Sequence, residues 1–104
     1  MLFLLHAKLA KPATMSDKEF FGIWQKETEV ASAALKAGLI NALYKVAGRT
    51  EVVAIVEAKT ADDIDALLHG MPIWKLGFSH LVHDVILTPL REYASWTEEL
   101  KNRA

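Results

Sequence analysis

Few side chains in this 104-residue chain are placed to do chemistry, and one stands out by its position. Phe20, Trp24, Ala31, Ala34 and Leu35 fall on one stripe at helical spacing, the mark of an apolar face turned toward a sheet. Glu27 falls inside that stripe, one helical step from both Trp24 and Ala31, while Lys26, Thr28 and Glu29 lie off it. A carboxylate in an apolar groove is desolvated, which disfavours its charged form and raises its pKa toward neutrality. A general base working near pH 7 needs that poise. The plainer alternative places Glu27 at the edge of the stripe, in water or paired with a lysine or arginine, because acids are rarely buried without a partner.

Other polar groups carry weaker signals. His6 shares a strand face with Leu2 and Leu4, which suits a core or interface histidine, or an anion site with Lys8 between subunits. His80 and His83 would face opposite sides of a strand, and no third ligand accompanies them, so no metal is expected. Asp62, Asp63 and Asp65 read as a helix-start charge group, and His69 as a helix-end cation. Trp24 is a core residue or a stacking platform. Trp74, two residues after Pro72, is placed to cap a pocket or an interface, and Tyr93 and Trp96 need a surface to cover, most simply a neighbouring subunit. There is no phosphate loop, no serine–histidine–acid arrangement and no cysteine, which excludes disulfides, thiol nucleophiles and cysteine–zinc sites.

The elements that must position these groups follow from pattern. Residues 2–9 alternate as a half-buried strand. Ser16 with Glu19 is a capping-box pair, opening a helix from about Asp17 to Ala37 that Gly38 closes. Leu39 to Ala47 and Glu51 to Ala58 read as an antiparallel hairpin about the Gly48-Arg49-Thr50 turn. Thr60 caps a short helix, Asp62 to His69, ended by Gly70; Met71 to Trp74 reads as an irregular connector. A fourth strand falls within Leu81 to Leu87 and is stopped by Pro89, and Leu90 to Arg103 forms a tail helix. The order β-α-β-β-α-β is the ferredoxin-like split unit of an α+β protein. Two helices cover one sheet face, so partner subunits are expected on the other, by stacking sheets or completing a dimeric α+β barrel.

Composition agrees. The length suits a single domain over residues 1–104, with 52% apolar and 24% charged residues as in ordinary globular proteins. The slightly positive mean hydropathy hints at surface hidden in an oligomer. A net charge of −1 offers no basic field for nucleic acid or a membrane surface. No apolar run approaches the roughly 20 residues of a spanning helix, and the apolar Met1 to Leu5 is interrupted by His6 and Lys8 without a basic leader. A cytoplasmic protein is expected.

From Met1 to about Trp74 the chain resembles muconolactone isomerase. The resemblance rests on Met1-Leu2-Phe3, Met15, Glu27, Gly38, the run Leu43-Tyr44-Lys45-Val46-Ala47-Gly48, Leu67 and the Met71-Pro72-Ile73-Trp74 turn, with Thr88-Pro89-Leu90 fitting the family's closing Thr-Pro-Leu. It implies a cofactor-free, metal-free isomerase of aromatic catabolism that moves a ring double bond in a small carboxylated lactone. It further implies a homo-oligomer, a dimer or larger up to a ring-like decamer. In that chemistry one base takes a proton from one carbon and returns it to another, a role that fits Glu27. The dienolate oxygen needs a donor and the substrate carboxylate a cation; Lys45, Arg49, His6 and Tyr44 are the candidates, with Trp24 beside the substrate. The chain departs from the family where Ile40-Asn41-Ala42 replaces a Trp-Arg-His run, and the region after Trp74 is longer. Two other readings stand beside this one. The first is a non-catalytic ferredoxin-like oligomer that binds a small ligand, with Glu27 ion-paired and exposed. The second is another small enzyme on the scaffold, monooxygenase or cyclase-like, with a histidine pair in its cavity.

Overall fold

The computed structural model describes residues 1–104. Its first strand, β1, spans Leu2–Leu9, and the helix α1 spans Asp17–Lys36. Ser16 Oγ accepts the Glu19 N–H at 3.1 Å, while Asp17 and Glu19 place negative charge at the positive helix end. Ala37 is the last capping residue, and Gly38 turns the chain at φ 81°, a conformation natural only to glycine. The strands β2 (Ile40–Lys45) and β3 (Glu51–Glu57) form the expected hairpin, with Gly48 at φ 77° in its turn.

The helix α2 (Ala61–His69) opens on a complete capping box: Thr60 Oγ1 accepts the Asp63 N–H at 3.2 Å, and Asp63 Oδ2 accepts the Thr60 N–H at 3.2 Å. The Met71 to Trp74 segment is more ordered than its sequence suggests. Pro72 takes the first position of a one-turn helix, α3 (Pro72–Lys75), where its missing N–H costs nothing. A 3-10 turn at Ser79–Leu81 then leads into β4, Val82–Leu90. Pro89 does not stop this strand. The sheet order is β2-β3-β1-β4, so β4 is an edge, and a proline there leaves no ladder partner short of a donor. The tail helix α4 covers Tyr93–Arg103.

All neighbouring strands are antiparallel. Alternation sends Leu5, Ala7 and Leu9 of β1 and Val52, Ala54 and Val56 of β3 to the face beneath α1, α2 and α3. Leu4, His6, Lys8, Val53 and Ile55 take the other face, over which no helix packs. The apolar stripe of α1 is rotated slightly from the one its spacing predicts. Phe20, Ile23 and Ala34 are buried, whereas Leu35 is exposed.

Burial is sparse, with 11 of 104 residues in the interior and none of them in α4. The radius of gyration is 16.2 Å, against about 13 Å for a compact chain of this length. The molecule is drawn out to 57 Å along its longest axis, and no residue of α4 is buried. No helix is long and apolar enough to cross a membrane.

Candidate active site

The core is split, and the split makes room for a site. One cluster joins Ala34 near the end of α1 to Leu5, Ile40, Ala54 and Val56 of the sheet. The other joins Phe20 and Ile23 near the start of α1 to Ile73 of α3 and Leu81. Because α1 packs mainly on β2 at one end and on α3 at the other, its middle stands off β1 and β3. A cavity of about 310 Å³ lies between, near the lower limit for small-ligand sites.

Of 22 lining residues, 18 are hydrophobic, and the four others are Glu27, Thr28, Ser32 and Lys45. Thr28, Ser32, Tyr44 and Lys45 are exposed, whereas Leu5, Ile40, Ala54, Val56 and Ile73 are buried. The mouth therefore opens between the middle of α1 and the edge strand β2, with the apolar floor supplied by the sheet.

Glu27 is the acid of this cavity. Its Oε1 accepts the backbone N–H of Ile73 at 2.7 Å, a bond that spans 46 residues of sequence and ties α1 to α3. No lysine, arginine or histidine lies within ion-pair distance of it. Burial raises its pKa above the ordinary 4.5, and the Ile73 hydrogen bond opposes that shift without cancelling it. With Oε1 held, Oε2 is the oxygen left to accept a proton. Glu27 is thus half-buried on an apolar lining and has no ion-pair partner.

Lys45 is the one cation on the lining, and a bulge puts it there. The β2–β3 register runs Ile40↔Val56, then Ala42↔Ile55, Leu43↔Ala54, Tyr44↔Val53 and Lys45↔Val52, which makes Asn41 the extra residue. The slip reverses the alternation, so Ile40, Leu43 and Lys45 share the cavity face, as bulges beside functional sites often arrange. Tyr44, whose partner is Val53, belongs by register to the opposite face and meets the cavity at its rim. Lys45 Nζ donates one hydrogen bond, to the Val46 carbonyl at 3.1 Å, and keeps two donors free. Trp24 lines the cavity from α1, and Trp74 lines it from α3.

His6 and Arg49 are not brought to this cavity. His6 sits on the open sheet face, where its Nε2 lies 2.7 Å from Glu51 Oε1. Arg49 Nη1 lies 3.8 Å from the other oxygen of the same carboxylate. Strand parity in the sequence places His6 on its face, but it does not reveal Glu51 as the partner. No histidine lines the cavity.

Sequence reasoning misses Ser32, Met71 and Ile73 as site residues. Ser32 follows Thr28 by one helical turn, a signal that could have found it, and its hydroxyl has no partner in the protein. Thr28 instead returns its own hydroxyl to the Gln25 carbonyl at 2.7 Å. The Ile73 N–H has no signal, because a backbone donor is invisible in sequence until the turn that aims it is known.

The comparisons with known proteins agree with this architecture. The family model described as muconolactone delta-isomerase matches residues 1–95. Among solved structures, a crystal structure of muconolactone isomerase superposes with a TM-score of 0.71 at 17% identity, covering 88% of this chain and 90% of that one. A 5-chloro-2-hydroxyhydroquinone dehydrochlorinase from Burkholderia phenoliruptrix, in complex with 2,5-dihydroxybenzoquinone, superposes with a TM-score of 0.63 at 19% identity, over 88% and 95% of the two chains. No curated protein matches the sequence significantly.

Proposed function

The chain belongs to the muconolactone delta-isomerase family, and from that premise we propose that it is a cofactor-free isomerase of a small unsaturated lactone, moving a ring double bond by proton transfer. The observation that carries the reading is Glu27, a carboxylate with no ion-pair partner in an apolar cavity, one oxygen held by the Ile73 N–H and the other free. In the base form, Oε2 takes the proton from the ring carbon next to the double bond. The electron pair moves into the ring and onto the carbonyl oxygen, giving a dienolate. Lys45, with Ser32 across the mouth, donates to that oxygen. Glu27 then returns the proton to the far carbon, which needs only a small movement of the ring and no second base.

The dehydrochlorinase of similar fold is bound to a quinone ring, a small cyclic ligand of the size a cavity of about 310 Å³ could take. Breakdown of aromatic compounds in the cytoplasm is the setting the family suggests. A single domain over residues 1–104 that self-associates through its open sheet face completes the proposal. The bare α4, the partly exposed Leu4, Val53 and Ile55, and the exposed Ile86 support it. The test is turnover of muconolactone by the purified protein in heavy water. A shifted double bond with less than one solvent deuterium per product is expected of a single shuttling base. No turnover and no exchange would sink the proposal.

A further inference from the structure

Two of the three tryptophans reach the cavity, and each does so from beside the acid. Trp24 lies one helical turn before Glu27 on α1, and Trp74 directly follows Ile73, whose N–H holds the Glu27 carboxylate. Both tryptophans are half-buried, and each is braced by other rings. Phe21 stacks on Trp24 with centroids 6.4 Å and planes 24° apart, and Phe20 meets the same indole edge-on at 6.0 Å. The His69 ring at the end of α2 lies 5.9 Å from that of Trp74, tilted by 42°. Backbone bonds close the turn that carries Trp74. The Trp74 N–H donates to the Met71 carbonyl at 3.0 Å, and the Phe78 N–H to the Ile73 carbonyl at 2.8 Å.

We infer that Trp74 is a substrate-positioning residue which, with Trp24, gives the substrate ring a flat wall to lie against while Glu27 moves the proton. The inference rests on the isomerase reading of the same site and adds the group that orients the ring. A base that takes and returns one proton needs both ring carbons within reach of one oxygen, so the tilt of the ring decides the rate. The lactone carries one tetrahedral ring carbon, whereas the dienolate is conjugated throughout and flat. A flat indole wall therefore fits the reacting ring better than the resting one, and only such a difference accelerates the chemical step. Adjacent residues of one turn supply the donor that holds the acid and the wall that holds the ring, so the two are set relative to each other.

The test compares Trp74→Leu and Trp74→Phe with wild type in the intact protein. One readout is turnover of muconolactone; the other is calorimetric binding of 2-furylacetate, an unreactive flat ring with the same acetate arm. Leucine keeps the apolar bulk and loses the flat wall. Its kcat should fall about tenfold, the upper range of what an aromatic contact adds beyond buried area, with KM within threefold of wild type. Its affinity for 2-furylacetate should fall by a similar factor. Phenylalanine restores a flat ring and should stay within threefold of wild type in both readouts. Equal losses in the two variants would reduce Trp74 to a packing residue and overturn the inference, as would a leucine variant with wild-type kcat and affinity. Binding that depends on Trp74 without any turnover would keep the ring wall and remove the isomerase reading. Neither turnover nor binding by wild type would overturn both.

Discussion

Ile73 has two roles that one substitution separates. Its side chain is 2% exposed and packs with Phe20, Ile23 and Leu81, while its backbone N–H holds Glu27. Ile73→Ala removes three buried carbons, a transfer loss of about 2.4 kcal/mol at ~0.8 per carbon. A residual void of ~50 Å³ adds about 1.2 kcal/mol at ~24 cal/mol per Å³. Because α3 is a single turn beside an existing cavity, part of that void closes, and a net loss of about 3 kcal/mol is expected. Urea unfolding followed by circular dichroism reads this as a lower midpoint with an unchanged slope. The alanine keeps the N–H, so the pH of half-maximal activity in the folded fraction should not move. A loss below about 1 kcal/mol would refute the packing argument. A displaced pH midpoint would show that the side chain, not the backbone donor, places the acid.

Three further outcomes follow from the same geometry. Activity should fall as pH drops, through a midpoint above 4.5, since the base must be ionised and burial raises its pKa. Stability should respond with the opposite sign. The folded Glu27 binds its proton more tightly than the unfolded one, so its contribution is fully present below 4.5 and is lost as pH rises through the folded pKa. Glu27→Gln should abolish that part of the pH dependence in denaturant titrations. Thr60→Ala, which breaks the capping box of α2, should cost about 1 kcal/mol in the same assay without altering KM. Removal of residues 93–104 should lower the number of subunits seen in sedimentation while leaving the sheet signal intact, because no residue of α4 is buried within its own chain; an unchanged subunit number would place any subunit contacts elsewhere.

Much of this site is legible in the sequence because helix and strand periods are local. Trp24 and Ala31 alone assign Glu27 to the sheet-facing stripe, and Ser16 and Thr60 mark their helix starts by residue type and spacing. What escapes depends on contacts between distant segments. The bulge at Asn41 reverses the facing of Tyr44 and Lys45, so strand parity cannot choose between them without the β3 register. His6 and Arg49 look available as substrate cations because nothing in the sequence pairs them with Glu51. Pro89 reads as a strand stop only if its strand is internal; edge position is a property of the whole sheet. Leu35 falls on the sheet-facing stripe by spacing, yet it is exposed while Ile23 is buried, a facing set by how the helix docks and not by its period.

The most direct test of the central claim is the isomerisation rate of wild type against Glu27→Gln, with both proteins shown to be folded and of equal mass in sedimentation. The glutamine keeps the size of the side chain and its acceptor for the Ile73 N–H, but it cannot carry a proton between carbons. A fall in kcat of at least a hundredfold with KM little changed is what the account predicts. Turnover that survives the substitution would contradict it, and would leave the cavity without its base.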